Sequence, residues 1–321
     1  MDDLLISLPA FNRLSDYLGL WAMNPLHFDA LWRHAHALDM RAHMLEAVAV
    51  KSSLQKSPNG RGVAIIQATG VLMKSASSLG GTSTIQLRRD IRQAAADPDI
   101  SGILLAIDSP GGTVSGTADL GAEVRNARKS KPVFAHVDDL TASAAYWLAS
   151  QAEKVYANDS TAMIGSIGTY QIVRDLSGMA EKEGVKTHVI ATGPLKGMGA
   201  PGAPVTDEQL AHVQAMVDAT QTHFDAAVRK GRSLSAAELK AVRHGGLLMA
   251  DDALAARLID GVQPMSKTLA ELNRVAAAYD PRRAEAGDDV PEPESERIPA
   301  GRSGGFPMKQ LSGLPMLRAG V

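Results

Sequence analysis

With 321 residues, the chain is long enough for one large domain or two modest ones with a sizeable buried core. Hydrophobic residues make up 45% and charged residues 21%, a balance that excludes disorder along the whole length. Lys and Arg (33) nearly match Asp and Glu (35), leaving a net charge of −2 and no global pull toward nucleic acid or an anionic membrane. Cysteine is absent, which excludes disulfides, thiolate nucleophiles and Cys-ligated metals together. Met1-Asp2-Asp3 offers no basic region before an apolar core, and no apolar run reaches the ~18 residues of a spanning helix. The expectation is a cytoplasmic protein without a membrane partner.

In chain order, residues 1–58 carry Phe11, Tyr17, Trp21, Phe28 and Trp32 in a polar, helical-looking arm that ends in a linker or turn at Gln55-Lys56-Ser57-Pro58-Asn59-Gly60. Residues 59–264 alternate strand and helix signals. Strands are expected at 63–68, 71–73, 103–108, 133–137, 154–157, 167–173 and 187–191. Helices are expected at 84–96, where Asp97-Pro98 stops the run, and near 114–129, 141–152 and 175–184. Thr206 with Gln209, and Ser235 with Glu238, are capping-box pairs that open two further helices. This alternation argues an α/β architecture. Residues 265–321 read as a helical extension followed by a flexible tail rich in Pro, Glu, Arg and Gly.

Three junctions could carry chemistry. Asp108-Ser109-Pro110-Gly111-Gly112-Thr113 runs from a strand through paired glycines toward a helix, a turn that can present backbone N–H groups to an oxyanion. Asp138-Asp139-Leu140-Thr141-Ala142-Ser143-Ala144-Ala145-Tyr146-Trp147 runs from a strand into a helix of small residues. Thr141 is its expected N-cap, and Ser143 then falls in the first turn. The bland alternatives are a tight turn for the first junction and a capping serine for the second. The third junction is the loop 192–202, where Lys196 is the one charged residue between Lys186 and Asp207, with histidine counted neutral. Such a lysine either points into water or, if desolvated, has its pKa lowered far enough to act as a general base. A nucleophile, a base and oxyanion donors are together what acyl transfer requires.

The ordered set Ile107-Asp108-Ser109-Pro110-Gly111-Gly112, Ala142-Ser143-Ala144-Ala145-Tyr146, Gly165-Ser166-Ile167-Gly168 and Lys196 resembles the signal-peptide-peptidase-A family of Ser/Lys serine peptidases across about residues 61–264. The separation of Ser143 from Lys196 fits the short, single-repeat members. The resemblance implies a Clp-protease/crotonase-like spiral of ββα units that assembles into a homo-oligomeric ring and binds polypeptide in extended form. It implies Ser143 as nucleophile and Lys196 as general base. Gly111 or Gly112, with Ala144, would supply the oxyanion hole, and Ser166 would orient the lysine. No cofactor or metal is implied. The segment Gly80-Gly81-Thr82-Ser83-Thr84 and the lack of an anchor look more like the phage-encoded branch, whose prohead or head-maturation proteases process scaffold, portal or capsid proteins. The alternatives are a soluble housekeeping peptidase of the same family, a crotonase-type acyl-CoA enzyme and an inactive assembly protein.

Several other patterns lack the context that would give them meaning. Gly301-Arg302-Ser303-Gly304-Gly305 spells a nucleophile-elbow string in the tail, without a strand–turn–helix setting. Residues 197–202 spell G-x-G-x-x-G, but Pro201 and Pro204 follow before any helix. His34 and His36 have no metal-ligand spacing. His136 and His188 are the nearest candidates for a His-based triad, and each reads more simply as a packed or surface histidine; His188, eight residues before Lys196, could line the same site.

Overall fold

The structure is a computed structural model that describes residues 20–23, 55–56, 62–75 and 81–278. Strands β1 (Trp21–Met23) and β2 (Gln55–Lys56) belong to the N-terminal arm, so its described pieces are extended rather than helical. The rest of the expected arm, and the tail beyond 278, lie outside the described residues.

From there the chain follows a repeated course. A long strand β3 (Gly62–Thr69) turns into a short strand β4 (Leu72–Met73), and β5 (Thr82–Ser83) leads into helix α1 (Thr84–Ala96). The pattern returns as β6 (Ile100–Ser109), β7 (Gly111–Thr113) and α2 (Thr117–Ala127). A third long strand, β8 (Val133–Ala142), passes through Ser143 directly into α3 (Ala144–Ala149). The remaining elements are β9 (Lys154–Ala157), β10 (Met163–Gly165), α4 (Ser177–Lys182), α5 (Asp207–Arg232), α6 (Ala236–Val242), β11 (Leu247–Met249), α7 (Ala250–Ala255), β12 (Gly261–Val262) and α8 (Met265–Ala278).

The long strands β3, β6 and β8 are parallel neighbours within a sheet ordered β11-β10-β8-β6-β3-β2, whose end strands β2 and β11 pair antiparallel and from which β9 and β12 branch at β8, while β1, β7, β4 and β5 form a second sheet in that order. This is the expected α/β spiral of ββα units. Strand β6 reads Ile-Ser-Gly-Ile-Leu-Leu-Ala-Ile-Asp-Ser, the near-continuous apolar run of a parallel strand covered on both faces. Its side chains divide by alternation. Ile103 and Leu105 join Leu87, Ile91, Leu120 and Val124 beneath α1 and α2, whereas Leu104 meets Val63, Phe134, Tyr156 and Leu272 beneath α8. Both expected capping boxes form, at Thr206 with Gln209 and at Ser235 with Glu238.

Three expectations are corrected. Helix α3 starts later than predicted, because Leu140–Ala142 pair with Met163–Gly165 and keep the chain extended through Ala142. Thr141 is therefore a strand residue, not an N-cap. The strands expected at 167–173 and 187–191 do not form, apart from an isolated bridge at Tyr170. Ile167 is buried in the main core without joining a strand, whereas Ile172, Val189 and Ile190 are exposed, Ile190 at 95%. Within the expected linker at 55–60, Gln55 and Lys56 pair with Ile65 and Ala64.

Candidate active site

Strand β8 changes partner along its length, and that change aims its C-terminal end. Phe134–Val137 pair with β9, while Leu140–Ala142 pair with β10, with exposed Asp138 and Asp139 between the two halves. The chain then turns at Ser143, whose φ of 53° and ψ of −115° lie outside the basins an L-residue ordinarily occupies. A conformation of this kind costs on the order of 1–3 kcal/mol and persists only where its surroundings hold it. Among the described residues four non-glycine positions have positive φ, and two of them are Ser143 and Ser166. A serine on a strained strand-to-helix turn is the arrangement that presents a nucleophilic hydroxyl.

The surroundings that hold Ser143 are specific. Its N–H donates to the Gly165 carbonyl at 2.8 Å, and its Oγ donates to the Gly168 carbonyl at 3.2 Å. The Gly165-Ser166-Ile167-Gly168 segment therefore wraps the serine from both ends. Ser166 is 3% exposed and is fixed by its own N–H to the Gly246 carbonyl at 2.7 Å. Behind the serine, α3 is locked into the core. The Tyr146 hydroxyl donates to the Leu258 carbonyl at 2.8 Å, and Trp147 stacks on Phe224 with ring centres 4.6 Å apart. The Ser143 carbonyl accepts the Trp147 N–H at 2.8 Å, which puts Ala144 in the first turn of α3.

The paired glycines lie beside this turn. Gly111 has a φ of 101°, and a Cβ placed on it would stand 3.0 Å from the Ser143 Cβ and 2.9 Å from the Ala142 carbonyl oxygen. A Cβ on Gly112 would stand 1.7 Å from the Leu72 carbonyl oxygen. Both positions therefore exclude side chains, and the backbone of β7 comes directly against Ser143. The Gly111 N–H reaches the Ser109 Oγ at 3.2 Å, and that hydroxyl donates to the Gly70 carbonyl at 2.6 Å. Sequence reasoning had not found this buried serine bridge, and the Ser109-Pro110-Gly111 order was its one visible signal.

Lys196 stands apart. It is exposed, and it lines a cleft formed by Thr187, His188, Pro194, Gly197, Thr206 and neighbouring residues of the same loop. His188 lines the same cleft. The Pro194 carbonyl accepts from Gln209 in the first turn of α5, while Thr169, next to Gly168, bonds Gln221. At 1.5 Å per residue, those two anchors are about 18 Å apart along the helix. Among the described residues no hydrogen bond joins Lys196 to Ser143 or Ser166. The structure brings together Ser143, Gly111, Gly112, Ala144 and Ser166, and leaves Lys196 outside that group within one chain.

His136 is fully buried with Nδ1 3.0 Å from the Thr268 hydroxyl, the packed rather than the surface histidine of the two readings. Among the described residues no group of three or more His, Asp or Glu could hold a metal, and no helix is long and apolar enough to cross a membrane.

Residues 125–278 match the family described as peptidase family S49. A putative protease of Methanocaldococcus jannaschii is 30% identical over 60% of this chain and 61% of its own length. Capsid assembly protease C of Escherichia phage lambda is 31% identical over 64% of this chain and 48% of its own. The head-tail preconnector protein GP5 of Enterobacteria phage P21 is also 31% identical, over 51% and 33%. The chain thus spans less than two thirds of the length of these relatives. An enoyl-CoA hydratase structure from Shewanella pealeana aligns at a TM-score of 0.44 and 11% identity, covering 77% of this chain and 81% of its own.

Proposed function

Starting from a chain that carries a peptidase family S49 domain across residues 125–278, we propose that the protein is a serine endopeptidase whose Ser143–Lys196 dyad is completed between copies. The observation that carries this reading is the strained Ser143 turn, set against the side-chain-free backbone of Gly111 and Gly112. In the proposed reaction the Ser143 Oγ attacks a peptide carbonyl carbon while its proton passes to the Lys196 amine. N–H groups of Gly111 or Gly112, with Ala144, receive the oxyanion. The leaving amine takes the proton from Lys196, and water then hydrolyses the acyl-enzyme by the reverse sequence of transfers. For Gly111 to serve, its N–H must turn from the Ser109 Oγ toward the substrate. Ser166 is assigned to orient the incoming lysine.

Assembly between copies is supported by the surface of the segment that bears Lys196. Ile172, Leu176, Met179, Val185, Val189 and Ile190 are all exposed within it. A concentration of apolar side chains on that scale marks a surface that another chain covers. A ring of identical copies repeats one heterologous contact, so the lysine loop of one protomer would reach the Ser143 turn of the next.

We assign the substrates to the structural proteins of a phage head, on the support of similarity to proteins named capsid assembly protease C and head-tail preconnector protein GP5. The test is to incubate the purified protein with candidate scaffold, portal and capsid proteins alongside Ser143→Ala and to map the cuts by mass spectrometry. Defined cuts that vanish in the variant are expected. Cuts that persist in Ser143→Ala would remove the assignment.

A further inference from the structure

Strand β7 carries both candidate oxyanion glycines, and each of its edges is taken. On one side Gly112 pairs in parallel with Leu72 of β4. On the other, Gly111, Gly112 and Thr113 pair antiparallel with Met23, Ala22 and Trp21 of β1. The ladder continues one residue further through the Val114 N–H to the Leu20 carbonyl at 3.2 Å. Strand β1 is also seated deeply, since Ala22 and Met23 are 0% and 1% exposed.

The position of β1 relative to Ser143 gives this pairing its meaning. The point a Cβ on Gly111 would occupy lies 2.3 Å from the Ala22 carbonyl oxygen and 3.0 Å from the Ser143 Cβ. A backbone carbonyl of the N-terminal arm therefore sits within one residue's width of the hydroxyl-bearing turn. An extended peptide binds an open sheet edge by continuing its backbone ladder. β4 already fills one edge of β7, so the edge beside Ser143 is the one where a peptide could be added. β1 lies there, extended and hydrogen-bonded, in the place and form of a bound peptide.

We propose that Trp21–Met23 occupies the polypeptide-binding edge of β7 in cis, so that a substrate strand can pair with Gly111–Thr113 only after β1 leaves. This rests on the reading of Ser143 as nucleophile and adds a built-in competitor to it. The edge favours an extended segment with a small residue opposite Gly112, where Ala22 is wholly enclosed, and an unbranched apolar residue opposite Gly111, where Met23 lies.

The test uses the full chain and Ala22→Pro, since proline removes a ladder donor and resists a paired strand. The first readout is hydrogen exchange at residues 112–114, which needs no catalysis; protection in the wild type and its loss in the variant are expected. The second is the rate at which a fluorophosphonate labels Ser143. It should rise about tenfold if the edge is free about a tenth of the time in the wild type. A synthetic peptide of sequence Leu-Trp-Ala-Met should slow labelling of the variant again. The same peptide, added to the wild type, is a second test independent of how well Ala22→Pro folds. There it should occupy the edge whenever β1 detaches and lower the labelling rate further. Equal labelling of wild type and a folded variant, or no effect of the peptide on either protein, would overturn the proposal while leaving Ser143 as nucleophile. Failure of Ser143 to label in any form would remove the nucleophile reading itself, and this inference with it.

Discussion

If one active site draws Ser143 from one copy and Lys196 from the next, two inactive variants should restore each other. Ser143→Ala removes the nucleophile and keeps the lysine, and Lys196→Ala does the reverse. In a single chain Lys196 is exposed on a loop tied to Gln209, whereas Ser143 is enclosed beside Gly168. When equal amounts of the two variants assemble at random, half the copies bring an intact serine and half of their neighbours an intact lysine. Repetition of one heterologous contact around a ring then predicts about a quarter of wild-type activity in the mixture, from two proteins that are each inactive alone. The variants should be co-expressed so that they mix during assembly. Fluorophosphonate labelling of Ser143 would serve as the substrate-free readout, and cleavage of a head protein cut by the wild type as the second. A mixture as inactive as its components would refute the shared site. Activity in Lys196→Ala alone would refute the lysine.

Other outcomes follow from the same geometry. Gly112→Ala should cost about 4 kcal/mol or prevent folding, since its Cβ would stand 1.7 Å from the Leu72 carbonyl oxygen and force β7 from β4; urea unfolding checks this. Tyr146→Phe should lower stability by about 1–2 kcal/mol by orphaning the buried Leu258 carbonyl, measured by the same method. Burial holds the His136 pKa below its ordinary value, with the charge of Asp138 offsetting this only in part. The folded chain therefore binds fewer protons there than the unfolded chain. Stability should fall as pH drops below about 6.5, the unfolded histidine value. His136→Gln should flatten that limb of a melting-temperature profile, and an unchanged slope would contradict the sign.

What the sequence disclosed and what it hid divide along the range of the interactions. Helix Thr84–Ala96 and strand Lys154–Ala157 were readable to the residue, because a Pro stop and short apolar runs are local signals. The turn at Ser143 was legible as a junction but not in its geometry. The run of small residues suggests helix from Thr141, yet β10 holds the chain extended through Ala142. Residues 167–173 and 187–191 have the composition of strands without a sheet edge to join, so composition misleads there. The pairing of Trp21–Met23 with Gly111–Thr113 joins two three-residue strands far apart in the chain, and such short pieces show no periodicity to read. Ser143, Gly111, Gly112, Ala144 and Ser166 were recognisable as an ordered set of motifs, and the fold gathers them. Lys196 belongs to that set by sequence, but its loop leaves the sheet after Gly165 and stays exposed.

A structure of the assembled particle bears on the dyad most directly, through the distance from the Ser143 Oγ of one copy to the nearest Lys196 Nζ. The account predicts an amine from a neighbouring copy at about 3 Å, within proton-transfer reach, with the hydroxyl released from Gly168. Copies packed so that every Lys196 remains in solvent, with Ser143 still bonded to Gly168, would contradict it.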